Sequence, residues 1–145
     1  MNQILSYKGL LEDGGQDTIL LSTKKGEKGY RIVKFQLFPQ NPGEANAEST
    51  MKIYKNEQSG VDQFVDFSDN RILGVATIGN STAGNVYPPI LSVVFDQEIF
   101  NQDIYITHME TSGNQSCNYY LELEVIMLNE TEATVATLKD IRNNQ

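Results

Sequence analysis

Residues 119–127, YYLELEVIM, decide the fold that this sequence predicts. Apolar residues occupy every second position from Tyr119 to Met127, and Glu122 and Glu124 lie between them. Successive side chains of a β-strand point to opposite faces, so this alternation places one face against a core and the other in solvent. The stretch therefore predicts a half-buried antiparallel strand. Its two glutamates are interpreted as a solvent-facing row, with a glycosidase-like or metal-binding carboxylate pair as the alternative.

A second alternating stretch lies near residue 35. Val33, Phe35 and Leu37 are predicted to share the buried face of a strand. Shorter runs of β-branched and aromatic residues, bounded mostly by Gly, Asn, Asp or Pro, predict six more strands at 18–22, 51–54, 61–67, 72–78, 90–95 and 104–107. Eight short strands with no helical pattern between them favour a mainly β fold, an antiparallel β-sandwich with a jelly-roll-like arrangement.

The C-terminal segment has a different pattern. Asn129 is a candidate helix N-cap with Glu132 three residues later, and the basic Lys139 and Arg142 come near the end of the segment. This order of charges predicts a short C-terminal helix that starts near Asn129. A ninth strand is the alternative, because several residues of the segment are β-branched.

The domain organisation predicted is one β-sandwich domain over residues 16–145, which includes the helix, preceded by an N-terminal arm at 1–15. The arm carries five apolar residues that form a candidate interface: Ile4, Leu5, Tyr7, Leu10 and Leu11. Such side chains rarely stay in solvent on a free tail, so we expect the arm to be docked. It could dock on its own sheet, on a neighbouring copy or on another protein.

Composition and charge restrict the partners. The chain has 145 residues, 39% hydrophobic and 21% charged, with a formal net charge of −8, so we expect a folded protein that binds neither nucleic acid nor an anionic membrane. No apolar run is long enough for a membrane span, and the first residues do not form a recognisable signal peptide. Residues 72–138 contain eight acids and no Lys or Arg, which predicts an acidic solvated face. The alternative is a contact with the basic stretch 24–34 of another copy.

Residues that could carry chemistry are few. Cys117 is the single cysteine and is predicted to be a small strand residue; His108, the single histidine, is predicted to be a solvent-facing residue at a strand end. The acids of 61–70 lack the spacing of an EF-hand, and the loop 79–84 lacks the lysine of a phosphate-binding loop. We therefore expect no catalytic residues, no cofactor and no metal site, and a protein that is not an enzyme.

Several phrases of the sequence are familiar: 6–10, 29–36, 92–96, 98–107, 118–124, 128–130 and 139–143. On these the chain resembles small virion structural proteins of marine tailed bacteriophages. The resemblance implies a protein made in the host cytoplasm and located in the virion. The most direct function is a capsid decoration (cement) protein, bound in many copies to the major capsid protein and to copies of itself. A neck or tail component is the alternative within the same family.

Two other function classes remain open. A glycan-binding β-sandwich that recognises a receptor would use exposed aromatic and amide side chains on loops, and the candidates are Tyr87, Asn80, Asn85 and Asn114. A small enzyme would need a mechanism built on carboxylates or a metal alone.

Overall fold

The described part of the protein consists of strands and their connections. A computed structural model describes residues 3–21, 28–41, 48–79, 90–111 and 115–127. Eight strands lie in these ranges: β1 (Ile4–Leu11), β2 (Gln16–Ile19), β3 (Lys28–Pro39), β4 (Glu48–Tyr54), β5 (Ile72–Gly79), β6 (Ile90–Phe95), β7 (Ile104–Glu110) and β8 (Cys117–Met127). The C-terminal helix predicted from Asn129 lies outside the described residues. Within them, no helix is both long and apolar enough to span a membrane.

The strands form two antiparallel sheets with the orders β1-β8-β3 and β2-β7-β4-β5-β6. The pairing is nested: β1 pairs with β8, β2 with β7 and β4 with β5, while β6 also contacts β3. A jelly roll is one long hairpin rolled across two sheets, in which the outer strands pair with each other and so, inside them, do the next ones. These three pairs follow that order, but β6 pairs with β5 and not with β3, so the arrangement is jelly-roll-like. The predicted mainly β sandwich of eight strands is confirmed.

One core lies between the two sheets. Strand β8 is the middle strand of the three-stranded sheet, and its inward side chains from Cys117 to Val125 are buried. Both sheets contribute to the core cluster, whose large, almost fully buried members include Ile32, Phe35, Met51, Ile53, Leu73, Ile104, Ile106, Leu121 and Leu123. The alternation predicted for 119–127 is confirmed from Tyr119 to Val125, whereas Met127, predicted on the same face, is 67% exposed at the end of the strand.

Strand β3 departs from the predicted face. Its register with β8 shifts between Ile32 and Lys34, so a β-bulge leaves Val33 without a register partner. Ile32 is 1% exposed, whereas Val33 is 37% exposed. The prediction that Val33 shares the buried face with Phe35 and Leu37 is therefore wrong for Val33, because the extra residue of a bulge reverses the alternation on its N-terminal side.

Two segments have structures that differ from those predicted from the sequence. Residues 61–67, predicted to be a strand, lie in the connection between β4 and β5 and are not a strand. Most of the N-terminal segment is instead strand β1, which pairs with β8 along its whole length. The total of eight strands is thus right, although one of the eight was assigned to the wrong segment.

The five candidate interface residues all lie on β1. Leu11 is 4% exposed, Leu5 and Tyr7 pack partly buried against the core, and Ile4 and Leu10 are 48% and 47% exposed. The segment therefore docks on its own sheet, one of the possibilities that the sequence left open. After β1 the chain crosses to the other sheet in a turn where Gly14 has φ 80°, a left-handed conformation that glycine adopts without strain.

We expect deletion of residues 1–12 to destabilise the fold strongly. The deletion removes β1 and three inward side chains, each of which contributes about 1.5–3 kcal/mol when fully buried. Urea unfolding, monitored by tyrosine fluorescence or circular dichroism, measures the loss. Deletion of residues 1–2 is the control, because Gln3 already accepts a hydrogen bond from the Val125 amide. An unchanged unfolding midpoint for the longer deletion would contradict the role of β1 in the core.

Gly9 provides a finer test of the same pairing. It is the register partner of Tyr119, and a Cβ atom at position 9 would lie 2.9 Å from Tyr119 Oη and Cε2. The ring cannot yield freely, because its hydroxyl donates a hydrogen bond of 2.9 Å to Asp17 Oδ2. We expect Gly9→Ala to cost about 1–3 kcal/mol of unfolding free energy, as overpacking does. In a Tyr119→Leu background the same substitution should cost much less, and equal costs in both backgrounds would refute the clash.

Candidate interaction surfaces

A long connection covers the outer face of the five-stranded sheet. On β4, Met51 and Ile53 face the core, so Lys52 between them faces outward; it is nevertheless only 3% exposed. Its register neighbours Thr107 and Val75 point the same way and are 1% and 6% exposed. Residues 55–71, here called the covering loop, fold back over Lys52, whose ammonium is bonded to Asp62 and Phe64 of the loop.

The covering loop is attached to the sheet at two separate points. At β2, the side chain of Gln16 donates to the carbonyl of Gln58 at 3.0 Å and accepts from the Gln58 amide at 2.9 Å. At β4, the Lys52 ammonium donates to Asp62 Oδ1 at 2.8 Å and to the Phe64 carbonyl at 2.7 Å. Because β2 and β4 lie on either side of β7, the loop spans three strands.

Aspartates also fix the loop from within. Asp62 Oδ1 accepts the backbone amide of Phe64 at 3.0 Å, and Asp66 Oδ1 accepts the amide and hydroxyl of Ser68 at 3.0 and 2.6 Å. Asp69 accepts the Arg71 amide at 2.9 Å and forms a two-bond ion pair with its guanidinium. Such side-chain to backbone bonds hold turns in one conformation. The three aspartates of 61–70, whose spacing does not fit an EF-hand, therefore act as turn-forming residues.

The anchoring ion pair shifts both of its pKa values. Burial works to lower the pKa of Lys52, but the hydrogen bond to Asp62 and the nearby Tyr54 outweigh it, so the pKa is raised. The hydrogen bond from Lys52 lowers the pKa of Asp62. The pair is therefore fully ionised at neutral pH and loses its carboxylate partner only in acid.

This well-anchored loop presents apolar side chains to solvent. Phe64 is 71% exposed, Phe67 is 66% exposed and Val65 is 40% exposed. A mobile loop exposes such residues at little cost, whereas a backbone held by many hydrogen bonds holds them outward permanently. Exposed apolar residues grouped on rigid backbone are typical of protein interaction sites.

The outer face of the three-stranded sheet is the second candidate surface. The strand register arranges its outward side chains in four rows: Ile4 with Glu124 and Arg31; Ser6 with Glu122 and Lys34; Lys8 with Tyr120 and Gln36; Leu10 with Asn118 and Phe38. Composition changes along the face from charged rows to a row that contains two apolar residues.

The charged rows are linked by side-chain contacts. Arg31 forms an ion pair with Glu124, and the Tyr120 hydroxyl donates to Glu122 Oε2 at 2.6 Å, which raises the pKa of Tyr120. The Lys34 ammonium lies 5.7 Å from the centroid of the Tyr120 ring, a cation–π distance. Part of the basic stretch that was considered as a contact for another copy is thus paired with acidic residues of its own chain.

An open groove of about 580 Å³ lies at the apolar end of this face. Outward side chains from all three strands line it: Lys8 and Leu10 of β1, Gln36 and Phe38 of β3, and Asn118 and Tyr120 of β8. Phe38 is 68% exposed and Leu10 is 47% exposed. The lining therefore combines the apolar Leu10 and Phe38 of the flanking strands with amide groups, a tyrosine ring and one ammonium.

His108 is not the solvent-facing residue that the sequence predicted. It is 0% exposed on the inward face of β7, and its Nδ1 lies 2.9 Å from the carbonyl oxygen of Glu12. A carbonyl only accepts, so Nδ1 carries the proton. The prediction is wrong because β7 is an interior strand of its sheet, where His108 continues the buried face of Ile104 and Ile106. Its bond holds the turn after β1.

The other predicted positions are distributed over the fold. Cys117 is a free, buried strand residue as predicted, and burial raises the pKa of its thiol. Glu122 and Glu124 lie on the outward face of β8, but both are partly buried and bonded to neighbours. The glycan candidates at 80, 85, 87 and 114 lie outside the described residues. In the described ranges, no three His, Cys, Asp or Glu residues are grouped as metal ligands would be.

The covering loop and the groove were not predicted from the sequence. Phe64 and Phe67 were assigned to a strand because of their β propensity, although Asp62 precedes them, Asp66 separates them and Asp69 follows them at the spacing of Asx turns. That spacing was the available signal for a loop. The groove had no local signal, because its residues come from three strands that are far apart in sequence.

Comparison with known proteins gives little further information. No family model and no curated protein matches the chain. Among solved structures it is similar to a protein of Bacillus endospore appendages, described as disulfide-linked pili, with a TM-score of 0.39, 10% identity, and coverage of 89% of this chain and 92% of that chain. It is also similar to the Yersinia pseudotuberculosis-derived mitogen, with a TM-score of 0.32, 13% identity and 86% coverage of each chain. The assembly and the activity named for those two proteins are not assigned to this chain.

We expect the covering loop to loosen in acid. Because the pKa of Asp62 is lowered in the folded state, its contribution is complete above its unfolded pKa of about 3.9 and is lost as pH falls through the folded value. Hydrogen-exchange protection of residues 55–71 should therefore fall below about pH 4. Asp62→Asn should lower that protection already at neutral pH, whereas Glu57→Gln, at an exposed position of the same loop, should leave it unchanged. Equal protection in all three proteins would contradict the anchoring role of Lys52 and Asp62.

Proposed function

We propose that this protein is a non-enzymatic structural protein of a phage particle, a head decoration protein that is bound in many copies to the capsid shell. The observation that carries the proposal is the apolar surface displayed on rigid backbone at both outer faces of the sandwich. Phe64 and Phe67 are exposed on a hydrogen-bonded loop, and Leu10 and Phe38 are exposed on paired strands. Permanent exposure of such side chains favours a protein that works through contacts with other proteins.

The sequence resemblance supplies the assignment to a virion. Within the described residues, the phrases that carry it lie mainly on β1, β3, β6, β7 and β8, so they come from both sheets. The partners proposed are the major capsid protein and other copies of this chain, and the location proposed is the virion. A jelly roll with buried histidine and cysteine and with paired surface carboxylates supports a structural role in preference to a hydrolytic one.

Strand β1 is the surface we propose for the shell contact. It lies at the edge of the three-stranded sheet, where backbone groups on its outer side are available to another chain. Ile4 extends outward from its start and is 48% exposed, while Leu5 and Leu11 hold the strand in place from the core side. The candidate interface predicted from the sequence thus divides into outward residues for contact and inward residues for folding.

The test is incorporation into particles together with copy number. We expect mass spectrometry of purified virions to find a copy number of this protein that is comparable to the number of binding sites on the capsid lattice. Ile4→Lys should reduce incorporation at least about tenfold, as loss of a buried interface residue does, with an unchanged melting temperature. Val94→Lys, at a 56% exposed site on β6, is the matched control and should incorporate normally. A few copies per particle would instead indicate the neck or tail component, and absence from particles would refute the proposal.

A further inference from the structure

The two apolar surfaces lie on opposite sides of the molecule. The covering loop lies over the outer face of the five-stranded sheet, where Asp62 is bonded to Lys52. The groove lies on the outer face of the three-stranded sheet. Since the core separates the two sheets, the two surfaces point in opposite directions and cannot meet within one chain.

The two surfaces also have complementary shapes. The loop projects aromatic side chains, Phe64 and Phe67, whereas the groove is a concave site that Leu10 and Phe38 line from the two flanking strands. A groove of about 580 Å³ lies within the range of about 300–1,000 Å³ of sites that enclose groups the size of one or more aromatic rings. One surface is a projection and the other is a recess, and both are apolar at the centre.

Their charges are complementary as well. Asp66 stands between the two phenylalanines, is fully exposed, and bonds within the loop to Ser68. The residues of the loop together with Lys52 carry three basic and four acidic groups, so the loop is acidic. Lys8 lines the groove, and the Lys34 ammonium lies over the ring of Tyr120, another lining residue. An acidic projection and a recess with basic side chains attract each other, which favours one orientation of the two surfaces.

We propose that the groove binds the covering loop of a second copy of this chain, with Phe64 and Phe67 against Leu10 and Phe38 and with Asp66 beside Lys8. Because the two surfaces differ and lie on opposite sides, the contact is head-to-tail: each copy has one loop and one groove, and copies add in a row or close a ring. This inference deepens the proposed function, since it identifies one of the two partners as another copy.

The size of the contact predicts its strength. Two aromatic side chains bury about 150–250 Å² each, so the apolar centre alone is smaller than the roughly 1,000 Å² or more of a stable interface. The contact between isolated copies is therefore weak and reversible, and copies held side by side on a lattice are the setting in which it becomes persistent. Purified protein should associate only at high concentration, and the association should weaken with salt.

Charge reversal in single variants tests the proposal on the purified full chain. In sedimentation velocity across micromolar to submillimolar concentrations, the unmodified protein should associate into species larger than a dimer. Lys8→Glu and Asp66→Lys should each weaken this association by about tenfold or more. An equimolar mixture of the two variants should recover association, because the Lys8→Glu groove accepts the Asp66→Lys loop. The unmodified groove of Asp66→Lys likewise accepts the unmodified loop of Lys8→Glu, so the two variants should alternate in species larger than a dimer.

Apolar variants and a control complete the design. Phe64→Ser and Phe38→Ser should weaken association as strongly, while Leu20→Ser, at a 71% exposed site outside both surfaces, should have no effect. Circular dichroism and the melting temperature show whether each variant is folded. If a phenylalanine variant is unfolded, the charge reversals at the exposed Lys8 and Asp66 still decide the test.

Three results would overturn the proposal. The unmodified protein could remain monomeric at every concentration, or the two charge variants could fail to restore association when mixed. The third result is that the protein binds oligosaccharides on a glycan array and that the Phe38→Ser variant does not. The groove would then be a glycan-binding site. The measurement uses no particles, so its failure is separate from failure of the incorporation test.

Discussion

Pairing of β8 on both of its edges is the constraint on which the rest of the structure depends. Its inward side chains, from Cys117 to Val125, form one wall of the core, and its outward side chains run between β1 and β3. The chain termini of the described part are brought together by this pairing, and the nested order of β2 with β7 and β4 with β5 follows from it. A change that shifted the register of β8 by one residue would exchange Leu121 with Glu122 and destroy the core and the outer face at once.

The same pairing produces the groove. Leu10, Phe38 and Asn118 lie in one row only because β1 and β3 meet β8 in register, and none of the three strands presents that surface alone. The covering loop depends on the other sheet in a comparable way. Lys52 is an outward residue of β4 that would be solvated on an uncovered sheet, and its burial beneath residues 55–71 gives the loop a fixed position. The two candidate surfaces are thus consequences of sheet pairing and of one buried ion pair.

Rigid apolar surfaces at opposite faces relate the fold to the proposed role. A protein that decorates a lattice needs a contact with the lattice and benefits from contacts between its copies, and the edge strand, the groove and the loop provide distinct surfaces for these. The bonded carboxylates and His108 hold turns of the chain, and Cys117 is a buried strand residue. These residues therefore stabilise the fold, and the exposed apolar residues are the ones available for contacts.

The sequence by itself determined the local and periodic features of this protein. The alternation from Tyr119 to Val125 and the mainly β class follow from side chains that are two residues apart, because this period belongs to the strand itself and not to its neighbours. Tertiary structure decided which faces were covered and by what. Glu12 and His108 are 96 residues apart, a bulge turned Val33 outward, β1 took the edge that the sequence had left to an arm, and a loop buried Lys52. Burial of those residues depends on segments distant in the chain, and no local pattern encodes a contact between distant segments.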